Sequence, residues 1–307
     1  MKRDYINEND WKPGEIAAVL DLAERVKREP GTFADALAGR TLAMIFEKSS
    51  TRTRVSFEAG MFQMGGLAMF LSARDLQLGR GETVADTARV LSRYADAILA
   101  RTFAHETVED LARHSSVPVI NGLSDLLHPC QALADYLTLR ERFGTARGLP
   151  LCYIGDGNNV AHSLLVTGAK LAARVAVVTP PGYEPREEVV AWARAAAEVS
   201  GGSILTTHSL EEGLAGARAV YTDVWASMGQ EAEAGERRRK FEPYRVTPAV
   251  FALAEKDAVF LHCLPAHRGE EVEAAVIDGP ASAVFDQAEN RLHAQKALLL
   301  TLLGGSR

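Results

Sequence analysis

Cysteine is nearly missing from this chain. The 307 residues contain three, Cys130, Cys152 and Cys263, and none of them forms a C-x-x-C pair. That excludes a disulfide framework and argues against a structural zinc site. A basic excess is missing too, since 34 Lys and Arg face 40 Asp and Glu for a net charge of -6. A protein that binds nucleic acid by displacing counterions from the phosphate backbone needs the opposite balance. No apolar run reaches the roughly 20 residues of a membrane span. Met1-Lys2-Arg3-Asp4-Tyr5-Ile6 lead into charged residues rather than an apolar signal core. The expectation is a soluble, cytoplasmic protein with no nucleic-acid or membrane partner. Internal repeats and low-complexity segments are also lacking.

What remains is ordinary globular composition, 47% hydrophobic and 24% charged, in a chain long enough for two domains. Short apolar, β-branched runs alternate with longer amphipathic stretches, the pattern of β-α units around a parallel sheet. In the first half this predicts strands near Thr41–Phe46, Leu67–Leu71, Ala97–Ala100 and Pro118–Ile120. Helices are expected to begin near Thr51, Thr83 and His105, and another to run from Pro129, whose ring suits a first helical position, to Arg142. Two glycines and a proline between Phe143 and Pro150 mark the expected boundary. Strands are expected beyond it at Leu151–Ile154, Val175–Val178, Val220–Asp223, Ala258–Leu261 and Ala283–Phe285, with a closing helix from Asn290 to Leu303. The polar run Glu231 to Lys240 reads as a mobile loop.

One segment concentrates chemistry. Glu47-Lys48-Ser49-Ser50-Thr51-Arg52-Thr53-Arg54 follows the apolar run Leu42–Phe46 and opens the helical stretch Val55–Met64. Unpaired amides and the positive end of a helix dipole favour an anion at such a start. Hydroxyl donors and guanidinium forks at the same place complete a cradle for a phosphate. A plain Ser/Thr cap with solvent-facing arginines is the simpler reading. It would suffice for one hydroxyl, but not for this density of donors. Arg101 follows a predicted strand, which places it at the carboxyl end of the sheet, where open α/β proteins bind ligands.

The order of these residues, with Phe57-Glu58 after them, resembles the carbamoyl-phosphate motif of the aspartate/ornithine carbamoyltransferase family. His128-Pro129-Cys130-Gln131 is similar to that family's second signature. Asp223-Val224-Trp225-Ala226-Ser227-Met228-Gly229 and His262-Cys263-Leu264-Pro265 resemble the acceptor motifs of its ornithine branch. Gly155-Asp156-Gly157-Asn158-Asn159-Val160 and Phe285-Asp286-Gln287-Ala288-Glu289-Asn290-Arg291 match that branch as well. Alone, a strand-end arginine, a histidine before proline and a cysteine after a strand would read as a solvated cation, a structural ring and an inert thiol. In this company and order, covering nearly the whole chain, they read as a site.

The resemblance implies two doubly wound parallel-sheet α/β domains with the active site in the cleft between them. Residues 1–143 would bind carbamoyl phosphate, 148–286 would bind L-ornithine, and a helix in 287–307 would pack back on the first domain. An uncharged amine would attack the carbamoyl carbon and phosphate would leave. Ser50, Thr51, Arg52, Thr53, Arg101, His128, Gln131, Cys263, Leu264 and Arg291 are implied to meet carbamoyl phosphate, with Gln77 reaching a neighbouring subunit's site. Asn159, Asp223, Ser227 and Met228 are implied to meet ornithine, and Arg101, His128 and Cys263 to act in catalysis. Family members are trimers, so a homotrimer or a multiple of trimers is expected, with no cofactor and no metal. Carbamoyl phosphate would bind first, and the segment from Ser227 to Lys240 would then close over ornithine.

Rival readings carry less. Gly155-x-Gly157-x-x-Val160 after a strand suggests a dinucleotide fingerprint, but the third glycine is replaced and the next strand ends in Thr179-Pro180-Pro181 instead of a ribose-binding acid. His262, Cys263 and His267 fit no standard zinc spacing. A protein that merely senses a phosphate ligand would not need His128, Gln131 and Cys263 beside the cradle. Among acceptors, aspartate would need a cationic patch, putrescine lacks a carboxylate, and N-acetylornithine would put an acyl group where Asp223 expects an ammonium.

Overall fold

In the computed structural model, residues 2–78, 81–226 and 233–304 are described. The chain divides into two compact units, residues 1–137 with 290–307 and residues 138–289. The first holds α1 (Pro13–Arg28), β1 (Thr41–Phe46), α2 (Thr51–Gln63), β2 (Leu67–Ser72), α3 (Val84–Tyr94), β3 (Ala97–Arg101), α4 (His105–His114), β4 (Val119–Leu123) and the start of α5 (Pro129–Phe143). Its four strands are all parallel in the order β2-β1-β3-β4. Ala43, Ile45, Ile98, Ala100 and Val119 of the sheet pack with Val108 and Leu111 of α4 as one apolar cluster. Strands buried on both faces need continuous apolar runs rather than alternation, which is what Leu42–Phe46 and Ala97–Ala100 supply.

The second unit continues with β5 (Pro150–Ile154), α6 (Asn159–Lys170), β6 (Arg174–Val178), α7 (Glu187–Ser200), β7 (Ser203–Thr207), α8 (Leu210–Leu214), β8 (Ala219–Thr222), α9 (Ala234–Phe241), α10 (Pro248–Phe251), β9 (Val259–His262), α11 (Ala274–Ile277) and the opening of α12 (Val284–Leu303). Its sheet is parallel in the order β7-β6-β5-β8-β9. Cys152, Ile154, Val178, Val220 and Phe260 lie in its core. The two α/β units with parallel sheets agree with the fold class the sequence predicts.

Each sheet reverses its strand order once, between β1 and β3 in the first and between β5 and β8 in the second. Two loops leave in opposite directions at such a point and open a crevice at the carboxyl ends of the strands. Phe46 pairs with Arg101 at the first reversal and Ile154 with Thr222 at the second. Beside the first, the register jumps from Ala100↔Asn121 to Arg101↔Leu123. This bulge re-aims the strand end that carries Arg101.

Two sequence expectations are corrected. Ala283–Phe285 is not a strand. Ser282 makes one isolated bridge to Phe260, and Gln287 N–H then donates to Ala283 O at 2.9 Å, so the helix has already begun. Three apolar residues cannot distinguish the two periods. The run to Lys240 is not simply a loop, because α9 occupies Ala234–Phe241 and buries Arg237 and Phe241. Phe241 packs edge-on against Tyr183 at 4.7 Å and lies over Trp225 at 6.1 Å. A single aromatic anchor and a buried ion pair leave almost no periodic signal in the sequence.

Candidate active site

On the first unit the site grows from the loop between β1 and α2. Glu47 N–H donates to Arg101 O at 2.9 Å, which joins the ends of the two switch-point strands. Ser50 is extended, with φ -162°, and caps α2 by accepting from Thr53 N at 3.2 Å. Thr51 is exposed, Arg52 half-buried and Thr53 buried, a gradient from solvent into the fold. Arg54 turns away, pairing with Glu58 at 3.0 Å and stacking on Phe70 at 3.9 Å. Of the motif's two arginines, Arg54 is thus committed to partners on the surface of its own unit.

Arg101 and His128 are both buried, each 6% exposed. Burial, followed by the charges of Arg291, Arg101 and Arg52, holds the His128 imidazole well below the ordinary histidine pKa. A ring kept neutral beside three guanidiniums can donate one N–H without adding another positive charge. Pro129 opens α5, and Gln131 N–H returns to His128 O at 3.0 Å, so both side chains project from the same first turn. Cys130 between them faces the core. Its thiol donates to Asn121 O at 3.4 Å, and burial pushes its pKa up to about 12, so it is inert.

Arg291 comes from α12, more than 150 residues away in sequence, and joins the same cluster. Its Nη1 donates to Gln131 Oε1 at 2.6 Å and its Nη2 to Thr53 Oγ1 at 3.1 Å. With the Gln295 amide oriented to satisfy both its ends, Gln295 oxygen accepts from Arg291 Nη2 at 3.0 Å and Nε at 3.1 Å. Thr53, Gln131 and Arg291, which the sequence reading groups together, are thus in direct contact. Gln77 lies exposed in the turn after β2, and its neighbours Gly79 and Arg80 fall outside the described residues.

On the second unit, Asp223 follows β8 and is 6% exposed. Its Oδ1 accepts from Cys263 Sγ at 3.0 Å and its Oδ2 from Asn158 Nδ2 at 2.9 Å. β8 and β9 are neighbours, with Thr222 opposite His262, so the residues just past their ends, Asp223 and Cys263, meet. Asn159 stands half-buried at the first position of α6. Ser227 and Met228 lie outside the described residues.

Leu264 is left-handed, with φ 57°, and its N–H donates to His262 Nδ1 at 2.8 Å. The other ring nitrogen faces Glu271 Oε1 at 3.2 Å, with both side chains fully buried. Asp223, His262 and Cys263 bring potential ligand atoms within 4.8 Å of one another. Both His262 nitrogens already serve protein partners, which makes this a hydrogen-bonded turn rather than an open ligand set.

Sequence reasoning singled out Asn159 and missed its neighbour. Asn158 caps α6, accepting from Val160 N at 2.9 Å and Ala161 N at 3.2 Å, and also clamps Asp223. Asparagine before an apolar helical run was the available signal. Asp156 was missed as well: it pairs at 2.8 Å with Arg237, which also donates to Trp225 O at 3.0 Å. Between them, a Cβ on Gly157 would come within 2.2 Å of Pro185 N. That glycine serves a close crossing of two chain segments, and no pyrophosphate is needed to explain it.

Residues 3–141 match the domain described as aspartate/ornithine carbamoyltransferase, carbamoyl-P binding domain, and residues 147–302 match its Asp/Orn binding domain. The ornithine carbamoyltransferase of Pyrococcus abyssi is 58% identical over 305 residues, 99% of this chain and 96% of that one. An anabolic ornithine carbamoyltransferase of Pyrococcus furiosus is 57% identical over 305 residues, with coverage of 99% and 97%. The solved ornithine carbamoyltransferase structure from Pyrococcus furiosus gives a TM-score of 0.96 at 57% identity, covering 99% of this chain and 98% of that one. The structure from Thermus thermophilus gives 0.89 at 45%, covering 99% of both chains. With both domains matched in order and relatives aligned over nearly their full length, this chain belongs to the aspartate/ornithine carbamoyltransferase family.

Proposed function

We propose that this protein transfers the carbamoyl group of carbamoyl phosphate to the δ-amine of L-ornithine, giving L-citrulline and phosphate in the biosynthetic direction. The observation that carries the reading is the cluster at the first switch point. Thr53 and Gln131 converge on Arg291, and three guanidiniums bear on a neutral His128. Such a pocket suits a phosphate dianion attached to a polarisable carbonyl. The names of the relatives, one of them anabolic, support the same substrate and direction.

Each step then has a group to serve it. Ser50, Thr51, Arg52 and Thr53 hold the phosphate, and Arg101 reaches both phosphate and carbonyl oxygen. The uncharged δ-amine attacks the carbonyl carbon, a C–N bond forms, and the C=O electron pair moves onto oxygen. His128 and Arg101 stabilise that oxyanion. The oxygen pair then returns to re-form C=O as the C–O bond to phosphate breaks. The phosphate leaves with that bond's electron pair, and the proton lost by the amine nitrogen passes to the departing phosphate. Gln131 oxygen and Leu264 carbonyl accept from the carbamoyl NH2. Arg291 completes the donor side, and no step calls for a cofactor or a metal.

For the acceptor, Asp223 takes an ammonium, Asn159 with Ser227 and Met228 meets the α-amino and carboxylate ends, and Cys263 lies by the attacking amine. An ornithine side-chain amine titrates at about 10, so most of it is protonated at neutral pH. The Asp223–Cys263 contact supports a role in selecting or generating the neutral form. Residues 1–143 serve the donor and 148–286 the acceptor, with 287–307 returning Arg291 to the donor side. A homotrimer, or a multiple of one, in which Gln77 reaches a neighbour's donor site completes the proposal. Exposed Val55, Phe62, Leu67 and Tyr94 on the first unit support such an assembly.

A citrulline-formation assay with carbamoyl phosphate and a panel of ornithine, putrescine, N-acetylornithine and aspartate tests the reading. Ornithine is expected to dominate, and preference for any other amine rejects it.

A further inference from the structure

Asp135, one turn beyond Gln131 on α5 and fully buried, has no part in the mechanism so far. Gln131 Nε2 donates to Asp135 Oδ1 at 2.8 Å, while Gln131 Oε1 accepts from Arg291 Nη1 at 2.6 Å. The two contacts bracket the amide. A guanidinium has no acceptor, so the Gln131 atom facing Arg291 must be oxygen, and the atom facing Asp135 is then the NH2. Turning the amide over would set NH2 against the guanidinium and oxygen against the carboxyl group. Arg291 itself is fixed by Thr53 and Gln295, so that side of the bracket cannot yield.

We propose that Asp135 is a positioning residue for donor choice: it holds the Gln131 amide so that oxygen, not nitrogen, is offered to the donor's acyl substituent. This rests on the reading of Gln131 as the residue that meets the carbamoyl NH2. An amide oxygen has two lone pairs and Arg291 occupies one, which leaves a single acceptor direction for the substrate. A carbamoyl NH2 can donate into it. The methyl group of acetyl phosphate, nearly the same size, cannot, and it leaves that second buried lone pair without a donor. Sites built around such an acceptor discriminate strongly because the penalty falls on the wrong ligand. With Asp135 gone, the amide pivots about its one remaining contact to Arg291, and the acceptor direction is no longer fixed.

The test uses the full-length enzyme and its D135A and D135N variants. Three quantities are read: KM for carbamoyl phosphate in citrulline formation, the inhibition constant of acetyl phosphate competing with it, and Tm. D135A is expected to raise the KM about tenfold, the scale of one buried hydrogen bond, while changing the acetyl phosphate constant less than about twofold. The ratio of the two constants therefore shrinks. D135N keeps an Oδ1 that accepts from Gln131 and is expected to restore the ratio to within about threefold of the parent. A purely structural aspartate would lower Tm in both variants and leave the ratio alone, and that result overturns the proposal. So does a D135N that behaves like D135A, or a parent enzyme that binds both donors equally. If D135A does not fold, D135S, whose hydroxyl falls short of Gln131, is scored the same way. A parent that makes no citrulline rejects the proposed reaction instead, which separates the two failures.

Discussion

The two switch points are built on the same plan and carry opposite charge. In each, a strand runs into a helix whose first residues are capped by the side chain just before it, Ser50 for α2 and Asn158 for α6. At the first, the neighbouring strand end brings Arg101, and Arg52 and Arg291 join it around a neutral His128. At the second, it brings Asp223, already holding a thiol and an amide. Ser50 takes one helix amide, whereas Asn158 takes two and spends its own NH2 on Asp223. One crevice therefore suits a dianion and the other a cation. Topology chooses where ligands bind, and a handful of side chains chooses their sign.

That contrast can be broken at several points. His128→Ala removes the neutral donor and is expected to lower kcat about 10²- to 10³-fold, or 3–4 kcal/mol, with a smaller effect on KM. Steady-state citrulline formation measures this, and a change confined to KM would mean that the ring only binds. On the acceptor side the signature should invert. Asp223→Asn is expected to raise the ornithine KM about 30-fold, near 2 kcal/mol for a charged hydrogen bond, and to leave the carbamoyl phosphate KM almost unchanged. Cys263→Ser keeps a hydrogen-bond donor towards Asp223, so its ornithine KM should move less than that of Asp223→Asn, and its pH profile should shift. If neither ornithine affinity nor pH profile responds to Cys263→Ser, the thiol has no role in handling the amine.

The gentlest probe is stability against pH. His128 is held neutral in the fold, so its folded pKa lies below its unfolded value of about 6.5. The stability tied to the neutral ring is complete above that value. It is lost as pH falls, because the unfolded chain takes up the proton first. From pH 7 to 5.5 this should cost about 1 kcal/mol, or roughly 2–3 °C in Tm. His128→Gln should flatten this part of the curve. An unchanged slope would show that the ring is not desolvated as the geometry indicates.

Much of this could be read from the residues. Continuous apolar runs announced the switch-point strands β1, β3, β5 and β8, and dense hydroxyls and guanidiniums announced the start of α2. Other features carry no local signal. β7 is a polar, half-exposed edge strand in Ser203–Thr207, and the buried side chains that anchor α9 are Arg237 and Phe241, too few to set a period. Arg291 was placed near Thr53 by resemblance, since spacing cannot reveal a contact across 238 residues. Asp135 and Glu271 escaped notice because a buried carboxyl group looks like any surface acid until its partner is known.

The donor crevice draws on both extremes of the chain. A polypeptide still on the ribosome that has passed β4 and α5 owns every strand of the first sheet, yet it lacks Arg291 and Gln295. Until those residues emerge, Gln131 and Thr53 face a gap where a cation belongs. With Arg291 in the proposed donor role, competence for the phosphorylated substrate would arrive late in synthesis, as a property of the finished polypeptide rather than of its amino-terminal half.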